Sequence, residues 1–566
     1  MVDCAGAMPM KFTRTYRVLP LLTSLLISTW FVRAETIPGL GTATFPTSTH
    51  SAAAAQEFMR GLLLLHLFEY EDAAMSFAAA EKADPDFAMA YWGEAMTFNH
   101  PVWNQFDAHA GQAALAKYGS TPEARAHRIA DARERAWFSA VEVLYSGEGS
   151  KPERDARYAI AMEQLTRAYP KDDEAQLFYA QALLGKSEGV RDVPTYLKAA
   201  AIAKAVFTRN PDHPGAAHYW IHGMDDPQHA AGALEPARAL SKIAPSAGHA
   251  QHMCSHIFLA LGMWDDVVRA NIAATSVTNQ QAAAEGSPPR RCGHYNYWLE
   301  YGYLEEGRIQ EAQKMVAACR ESAAQPGMAA MAMGTVDPDD ANVSSFVEMR
   351  ARYLIDTSLW LDEVVGWKVD MGKALMPNIT DTFTTGFVAA ERGDLPAARN
   401  ALATLLDLLP QTAAAFDAAG TPPADPMRQI PQIQKLQLQA VILSAEGHGD
   451  EAIAMAKQAV ATGEELAYAF GPPSPEKPSY ELLGELLLKE NRNAPARAAF
   501  EASLERAPQR TESLLGLARA ESAMGDKAAA AETWRKLHEI WKNADPEYLE
   551  HENDQRNLSA LSQVAH

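Results

Sequence analysis

Apolar positions are spread along this chain with frequent alanine, and long strand-like runs are missing. Because alanine is the strongest helix former, helix is the expected state throughout, and the predicted fold class is all-α. Stretches rich in glycine, proline and polar residues interrupt the pattern and predict loops at 286–289, 326–342, 420–423 and 471–475.

A repeat with a period of about 34 residues is visible within this helical pattern. Gly61, Ala73, Phe77 and Pro85 have the spacing of the key positions of a tetratricopeptide repeat (TPR). Small residues there let two helices approach, the large residue fills the gap to the next repeat, and proline ends the second helix. Further matches are Gly484, Ala496, Phe500 and Pro508; Ala530 and Trp534; and Gly386, Ala398 and Pro410.

These repeats predict a TPR-like α-solenoid, a superhelix of helical hairpins with a concave inner face. An Ala/Pro-rich segment at about 408–432 suggests a division into two lobes. The predicted domains are an N-terminal and central array, 35–430, a C-terminal array, 431–545, and a tail, 546–566. Degenerate units lie at about 155–190, 195–245, 247–280, 294–320 and 435–465.

Residues 1–34 have the features of a signal peptide. A basic region is followed by an apolar stretch to about Val32, and a small-residue pattern ending at Ala34 predicts cleavage there. The basic residues are Lys11, Arg14 and Arg17. No later segment offers about 18 uninterrupted apolar residues, so we expect a periplasmic or secreted protein with no stable membrane span. The alternative is an uncleaved membrane anchor.

Composition narrows the class of partner. The formal net charge of -21 disfavours nucleic acid and anionic membrane. Of the four cysteines, Cys4 lies in the predicted signal peptide, and Cys254, Cys292 and Cys319 remain. Their spacing matches no haem-attachment motif. One disulfide is expected at most in an oxidising compartment, and the sequence does not indicate which pair forms it.

Histidines are concentrated in one section of the chain. The chain has 17, including His213, His218, His222, His229, His249, His252, His256 and His294. Spacings of four within 218–222, and of three and four within 249–256, place each set on one face of a helix. In the repeat register these rings face the concave groove, and His294 is predicted beside His249 on the adjacent helix.

This pattern predicts a transition-metal site. Neutral imidazole is the commonest metal ligand among side chains, and it suits Cu, Zn and Fe. The predicted ligands are His218, His222, His249, His252, His256, His294 and His100. Asp225, Asp226 and His229 follow His222 and are candidate supporting partners. The alternative for each histidine is an ordinary core or surface residue with its own hydrogen bond.

Weaker signals lie outside this section. If the metal site is catalytic, Glu94 or Asp226 is the candidate general base. Glu94 and His100 lie where a helix runs into an Asn-His-Pro turn, and ordinary repeat packing explains them equally well. The run of Met328, Met331 and Met333 would suit Cu(I), although methionine more often fills gaps in a core.

Several stretches resemble a family of exported bacterial TPR proteins. They are 92–96 with 99–101, 213–222, 248–258, and 472–478 leading to 484–487. The likeness covers roughly 50–545 and implies a TPR fold, export and a shared histidine site, but it implies no reaction. Cys254 stands where the family's His-Met-Pro-Ser-His stretch has proline, which would alter a local bend.

Two functions therefore remain open. One is a metalloprotein or metal-dependent enzyme with the ion in the concave groove. The other is a scaffold without metal whose groove binds a peptide, a partner protein or a small molecule. The sequence lacks GxSxG, Walker, GxGxxG and HExxH motifs, which argues against classical hydrolases and dehydrogenases. The placement of the histidines favours the metal.

Overall fold

A computed structural model describes residues 35–549 except 187–190, 325–337, 422–424, 467 and 469, together with the side chains of all of these but 338–341. The predicted signal peptide, the methionine run at 328–333 and the chain beyond 549 lie outside the described residues. The described residues between 35 and 549 form one compact unit.

The N-terminal half is built from short strands and paired helices. Strands β1 (Glu35–Ile37) and β2 (Gly41–Ala43) pair antiparallel ahead of the first helix, and a second ribbon, β3 (Asn99–His100) with β4 (Gln105–Phe106), follows the third helix. The helices are α1 (Ala52–His66), α2 (Tyr70–Ala83), α3 (Ala88–Met96), α4 (Ala108–Tyr118), α5 (Pro122–Arg128), α6 (Ala132–Tyr145), α7 (Lys151–Ala168), α8 (Asp173–Gly185), α9 (Val193–Arg209) and α10 (Pro214–Gly223).

The rest of the described chain is helical. Three short 3₁₀ helices lie at Ala230–Ala233, Glu363–Gly366 and Trp541–Asn543. The α-helices are α11 (Leu234–Ile243), α12 (Gly248–Ala260), α13 (Trp264–Ala284), α14 (His294–Glu305), α15 (Ile309–Ala323), α16 (Pro338–Thr357), α17 (Leu375–Glu391), α18 (Leu395–Ala418), α19 (Pro426–Ala445), α20 (Gly449–Glu464), α21 (Ser479–Lys489), α22 (Asn493–Arg506), α23 (Thr511–Ala523) and α24 (Lys527–Ile540).

Close helix contacts confirm the predicted TPR-like α-solenoid. A Cβ added at Gly61 would lie 2.8 Å from the ring of Phe77, and one added at Gly93 would lie 2.3 Å from the same ring. Phe77 on α2 therefore fits against helices on both sides only because two glycines make room for it. The same arrangement recurs near the C-terminal end among Gly484, Phe500 and Gly516.

The Ala/Pro-rich segment differs from the prediction. Pro410 was expected to end a helix, but it lies inside α18, which continues to Ala418. α18 nevertheless continues past Pro410, and Arg428 contacts its C-terminal end through Asp417 Oδ1 (2.8 Å) and the carbonyl of Thr421. Residues 430 and 431, on either side of the predicted domain division, both belong to α19.

The C-terminal helices fold back onto the middle of the chain. The indole of Trp541 donates to the carbonyl of Glu305 (3.2 Å), and the amide of Asp545 donates to the carbonyl of Gly307 (3.0 Å). The buried guanidinium of Arg510 donates to Glu305 Oε1 at 3.1 Å and to Asp356 Oδ1 at 2.6 Å. These contacts join the two predicted arrays through one interior.

The structure resolves the question of the disulfide. Cys292 and Cys319 are bonded, which links the start of α14 to α15, and Cys254 is a buried free thiol inside the regular helix α12. None of the helices in the described ranges is long and apolar enough to cross a membrane.

Candidate metal centre

Helices α10, α12 and α14 bring the predicted histidines together. The first turn of α10 is held by His213, whose ring accepts from the amide of Ala216. Gly215 lets this turn pack on the end of α1, since a Cβ there would lie 2.4 Å from Nδ1 of His66. His218 and His222 project from the buried α10, and three further histidines project from α12, whose residues are all buried.

We call His218, His222 and His249 the inner triad. One possible ligand atom from each lies within 4.8 Å of those of the other two. The ring centroid of His218 is 4.7 Å from that of His222 and 5.0 Å from that of His249. Among the described residues, the buried Nε2 atoms of all three find no hydrogen-bond partner. Each such unpaired atom lowers the stability of the fold by about 1–3 kcal/mol. Three of them on neighbouring rings therefore favour a bound cation.

The Nδ1 sides of the His218 and His249 rings make contacts with the surrounding protein. His218 Nδ1 donates to the carbonyl of His66 at 2.7 Å, so its Nε2 carries a lone pair in the neutral ring. The Phe68 ring packs 4.4 Å from that of His218, and Trp103 packs 5.5 Å from His249. Tyr295 Oη lies 3.4 Å from His249 Nδ1. Hydrogen bonds and aromatic side chains therefore hold His218 and His249 in place.

Burial keeps the inner triad neutral. It lowers the pKa of His218 to about 3, although the hydrogen bond to His66 opposes the shift. Burial, followed by the neighbouring imidazoles, also lowers the pKa of His222 and of His249 well below the ordinary value of 6.5. Neutral imidazole is the form that binds metal ions, so the rings are ready to do so at neutral pH.

His252, His256 and His294 form a second group, the outer triad, with ligand atoms again within 4.8 Å of one another. Nε2 of His252 and Nε2 of His256 are 3.1 Å apart. These two rings are buried, whereas His294 at the start of α14 is exposed. The two triads adjoin, with 5.8 Å between the ring centroids of His222 and His256.

Hydrogen bonds fix the tautomers of the outer triad. His256 Nδ1 donates to Asp225 Oδ2 at 2.6 Å, and His252 Nδ1 donates to Asn271 Oδ1 at 2.7 Å. The Asn271 amide nitrogen donates to the carbonyl of Val267, which orients its oxygen toward His252. Support of this kind, on the far nitrogen of a ring, is typical of metal-binding histidines.

The neighbour of His294 differs from the prediction. Its ring centroid lies 4.5 Å from that of His252, and Tyr295 is the α14 residue that packs against His249. His294 therefore belongs to the outer triad and not to the inner one.

A third group, which we call the glutamate-bridged group, consists of His66, Glu174 and His213. His66 Nε2 lies 2.7 Å from Glu174 Oε2, and His213 Nε2 lies 2.8 Å from Glu174 Oε1. The remaining nitrogen of His66 contacts Tyr219 Oη at 2.9 Å. Every ring nitrogen and both carboxylate oxygens are hydrogen-bonded, so this group needs no metal ion to satisfy it.

The other predicted site residues lie elsewhere. Both oxygens of Glu94 accept from Lys117, at 2.5 and 2.6 Å. His100 stacks on Tyr70, and its two ring nitrogens contact Gln105 Oε1 and the carbonyl of Thr97. Neither residue joins a group of possible metal ligands among the residues described.

Asp226 holds a turn and does not face a histidine of either triad in the hydrogen bonds that the structure describes. Arg191 donates to it at 2.7 Å, and so does Nδ1 of His229. Asp225, its neighbour, is the carboxylate that supports the centre, through His256. Of the acidic residues that the sequence offered in this turn, the structure thus assigns Asp225 to the site.

Aromatic residues complete the walls of the outer triad. The ring of Trp298 lies 4.7 Å from His252 and 4.4 Å from His256. Phe470 lies 5.4 Å from His256, and the following Gly471 packs on Trp298, where a Cβ would be 2.7 Å from the indole. The predicted proline-rich loop therefore begins at the centre, a long-range contact that no sequence spacing indicates.

No family model and no curated protein matches this chain. Solved structures with similarity include the APC/C hetero-tetramer Cut9–Hcn1, at 11% identity over 92% of this chain and 78% of that one, with a TM-score of 0.34. Naa15/Naa10 bound to HypK-THB is 12% identical over 91% of this chain and 74% of that one, with a TM-score of 0.24. The human IFIT1 dimer with PPP-AAAA is 12% identical over 87% of this chain and 91% of that one, with a TM-score of 0.33. Such values carry no functional argument, and the fold stands on the helix packing described above.

Proposed function

We propose that this protein is an exported TPR-like protein that binds a transition-metal ion through the inner triad, His218, His222 and His249. Two observations carry the proposal: one ring nitrogen from each histidine lies within 4.8 Å of those of the other two, and the three buried Nε2 atoms have no hydrogen-bond partner among the described residues. A metal ion would satisfy all three atoms at once, whereas a protein without metal would leave each one at a cost.

The donor set limits the choice of metal. Three neutral imidazoles suit Cu, Zn or Fe, and ligand nitrogens about 2.0–2.1 Å from a tetrahedral ion lie about 3.3 Å apart. The ligand atoms of the inner triad lie within 4.8 Å of one another, so small rotations of the rings would bring them to that separation. Three protein ligands also leave a fourth coordination position, as in catalytic zinc sites.

Metal binding, rather than a particular reaction, is the function that this geometry supports. The inner triad contains no carboxylate, and the two candidate bases are engaged, Glu94 with Lys117 and Asp226 with Arg191. A general base must reach the proton that it removes, directly or through one water. Neither residue meets that requirement at the inner triad in the contacts described.

Export fits the disulfide. A bond between Cys292 and Cys319 persists in an oxidising compartment and would be rare in a reducing one. A peptide-binding role on the same side chains is disfavoured, because His218, His222 and His249 are buried and a peptide could not contact them. A partner protein would have to bind another surface of the solenoid.

Calorimetric titration of chelator-treated protein with Zn²⁺ or Cu²⁺ tests the proposal. We expect saturable binding in the wild type and the loss of the inner-triad equivalent in the His222→Ala/His249→Ala double variant. His448→Ala is the matched control, since it removes an exposed histidine outside the centre. A double variant that binds as many equivalents as the wild type, with circular dichroism unchanged, would refute the inner triad as the site.

A further inference from the structure

We infer that the outer triad, His252, His256 and His294, binds a second metal ion beside the first and keeps a coordination position open to a small anion. The inference rests on the proposed function, because the second ion would lie against the inner triad through His222 and His256. It nevertheless depends on separate side chains and separate hydrogen bonds.

Two nitrogen lone pairs, on His252 and His256, face each other in the outer triad. His252 and His256 both use Nδ1 as a hydrogen-bond donor, to Asn271 and Asp225, so in the neutral rings both Nε2 atoms carry lone pairs. These atoms face each other at 3.1 Å inside the protein. Two lone pairs repel at that distance unless a positive centre lies between them, and it is close to the about 3.3 Å that a tetrahedral ion imposes on two nitrogen ligands.

A proton shared between His252 and His256 could also relieve the repulsion. A proton, however, bridges two nitrogens, whereas a third ring, that of His294, offers a ligand atom within 4.8 Å of both. Convergence of three donors is the arrangement of a metal ion with three protein ligands. The geometry therefore favours an ion over a shared proton.

The open position follows from exposure. His294 is exposed, whereas all three inner-triad rings are buried, so solvent reaches the outer ion from the side of α14. Exchange of a water or anion on the metal is expected there and not at the inner triad. The rings of Trp298 and Phe470 pack against His256 and form part of the wall beside this position.

The charge balance of the two triads favours an anion at the open coordination position. Six imidazoles bring no negative charge, and among the described residues the carboxylate of Asp225 is the one that accepts from a ring of the two triads. The neighbouring Asp226 is neutralised by Arg191. Two divalent ions would therefore be under-compensated in a buried site, and a small anion such as hydroxide or azide would restore the balance.

Cobalt substitution tests the second ion. Titration of metal-free protein with Co²⁺, followed by visible absorption, should saturate at about two equivalents in the wild type and about one in His294→Ala or in His249→Ala. His448→Ala should retain two. Because His294 is exposed at the start of α14, its replacement should disturb the fold little, and the ring contacts that it removes include those with His252 and Trp298.

A second variant tests the supporting carboxylate. Asp225→Asn keeps every ligand and should weaken the outer ion by about 10–100-fold while leaving the inner one unchanged. Azide should perturb the cobalt spectrum of the wild type and not that of His294→Ala. If the wild type bound only one equivalent of cobalt, and His294→Ala and Asp225→Asn bound it equally well, this inference would be overturned and the proposed function would stand. No bound cobalt in the wild type would overturn the proposed function as well.

Discussion

The inner triad lies on α10 and α12 and the glutamate-bridged group on α1, α8 and the start of α10, and the two differ in one decisive respect. Both bring three potential ligands within 4.8 Å, and both are buried. In the glutamate-bridged group every nitrogen is hydrogen-bonded, because Glu174 accepts from two rings. In the inner triad three Nε2 atoms lack a partner within the described structure. Proximity of ligands is thus common to a structural network and a metal site, and hydrogen-bond accounting separates them.

The largest effect on stability should come from a change in the glutamate-bridged group. Glu174→Gln leaves one ring nitrogen without its acceptor in a buried site, so we expect the free energy of unfolding at pH 7 to fall by about 2–4 kcal/mol. His249→Phe in the metal-free protein removes an unpaired nitrogen and should change it by less than about 1 kcal/mol. Urea unfolding of both variants checks the contrast, and equal losses would erase the distinction between the groups.

Metal affinity should show the opposite pattern. His249→Ala removes a proposed ligand and should weaken binding of Zn²⁺ at the inner triad by at least about 100-fold, because even loss of a supporting partner costs about 10–100-fold. Glu174→Gln should bind Zn²⁺ within a few-fold of the wild type. Competition with a chromophoric chelator measures both. If Glu174→Gln lost the metal and His249→Ala kept it, the assignments would have to be exchanged.

A steric change should break the glutamate-bridged group without altering a charge. A Cβ at Gly215 would lie 2.4 Å from Nδ1 of His66, so Gly215→Ala should lower the free energy of unfolding by about 1–3 kcal/mol. Gly463→Ala is the control, since the nearest atom to its added Cβ is 3.9 Å away, and it should stabilise helix α20 by about 0.5–1 kcal/mol. Thermal denaturation compares the two, and a Gly215→Ala variant as stable as the control would show that the contact yields freely.

The smallest effect concerns pH. Burial opposes the shift, but the charges and hydrogen bonds of His213 and His66 outweigh it and hold the pKa of Glu174 well below its usual range. The unfolded chain therefore takes up a proton near the ordinary pKa of 4.5 that the folded chain refuses, so this stabilisation is present above that pH and is lost below it. The gap between wild type and Glu174→Gln should narrow by no more than about 1.4 kcal/mol per pH unit. Urea unfolding at pH 7, 5 and 4 tests the sign, and a gap that widens toward pH 4 contradicts it.

The sequence predicted the scaffold and most of the ligands for identifiable reasons. Glycine and phenylalanine at repeat spacing report helix packing directly, as at Gly61 and Phe77, and histidines three and four apart must share a helix face. The prediction was wrong at Pro410, which lies inside α18 and does not end it.

Long-range partners could not be predicted in the same way. His66 and Glu174 are 108 residues apart, and each is a single residue without a motif around it. The choice between Asp225 and Asp226 depends on which side chain points toward α12 after the end of α10, and the two are equivalent in sequence. The predicted neighbour of His294 was His249, and the structure places His294 beside His252, a detail of helix alignment that a degenerate repeat does not fix.

The metal content of the protein as purified tests the central claim most directly. Protein prepared without an affinity tag or chelator at neutral pH would be analysed by elemental mass spectrometry, and the wild type compared with His222→Ala/His249→Ala. The account predicts at least one equivalent of Cu, Zn or Fe in the wild type and a corresponding loss in the variant. A wild type that is metal-free and takes up none of these ions when they are added would contradict it, and the unpaired nitrogens would then need another ligand.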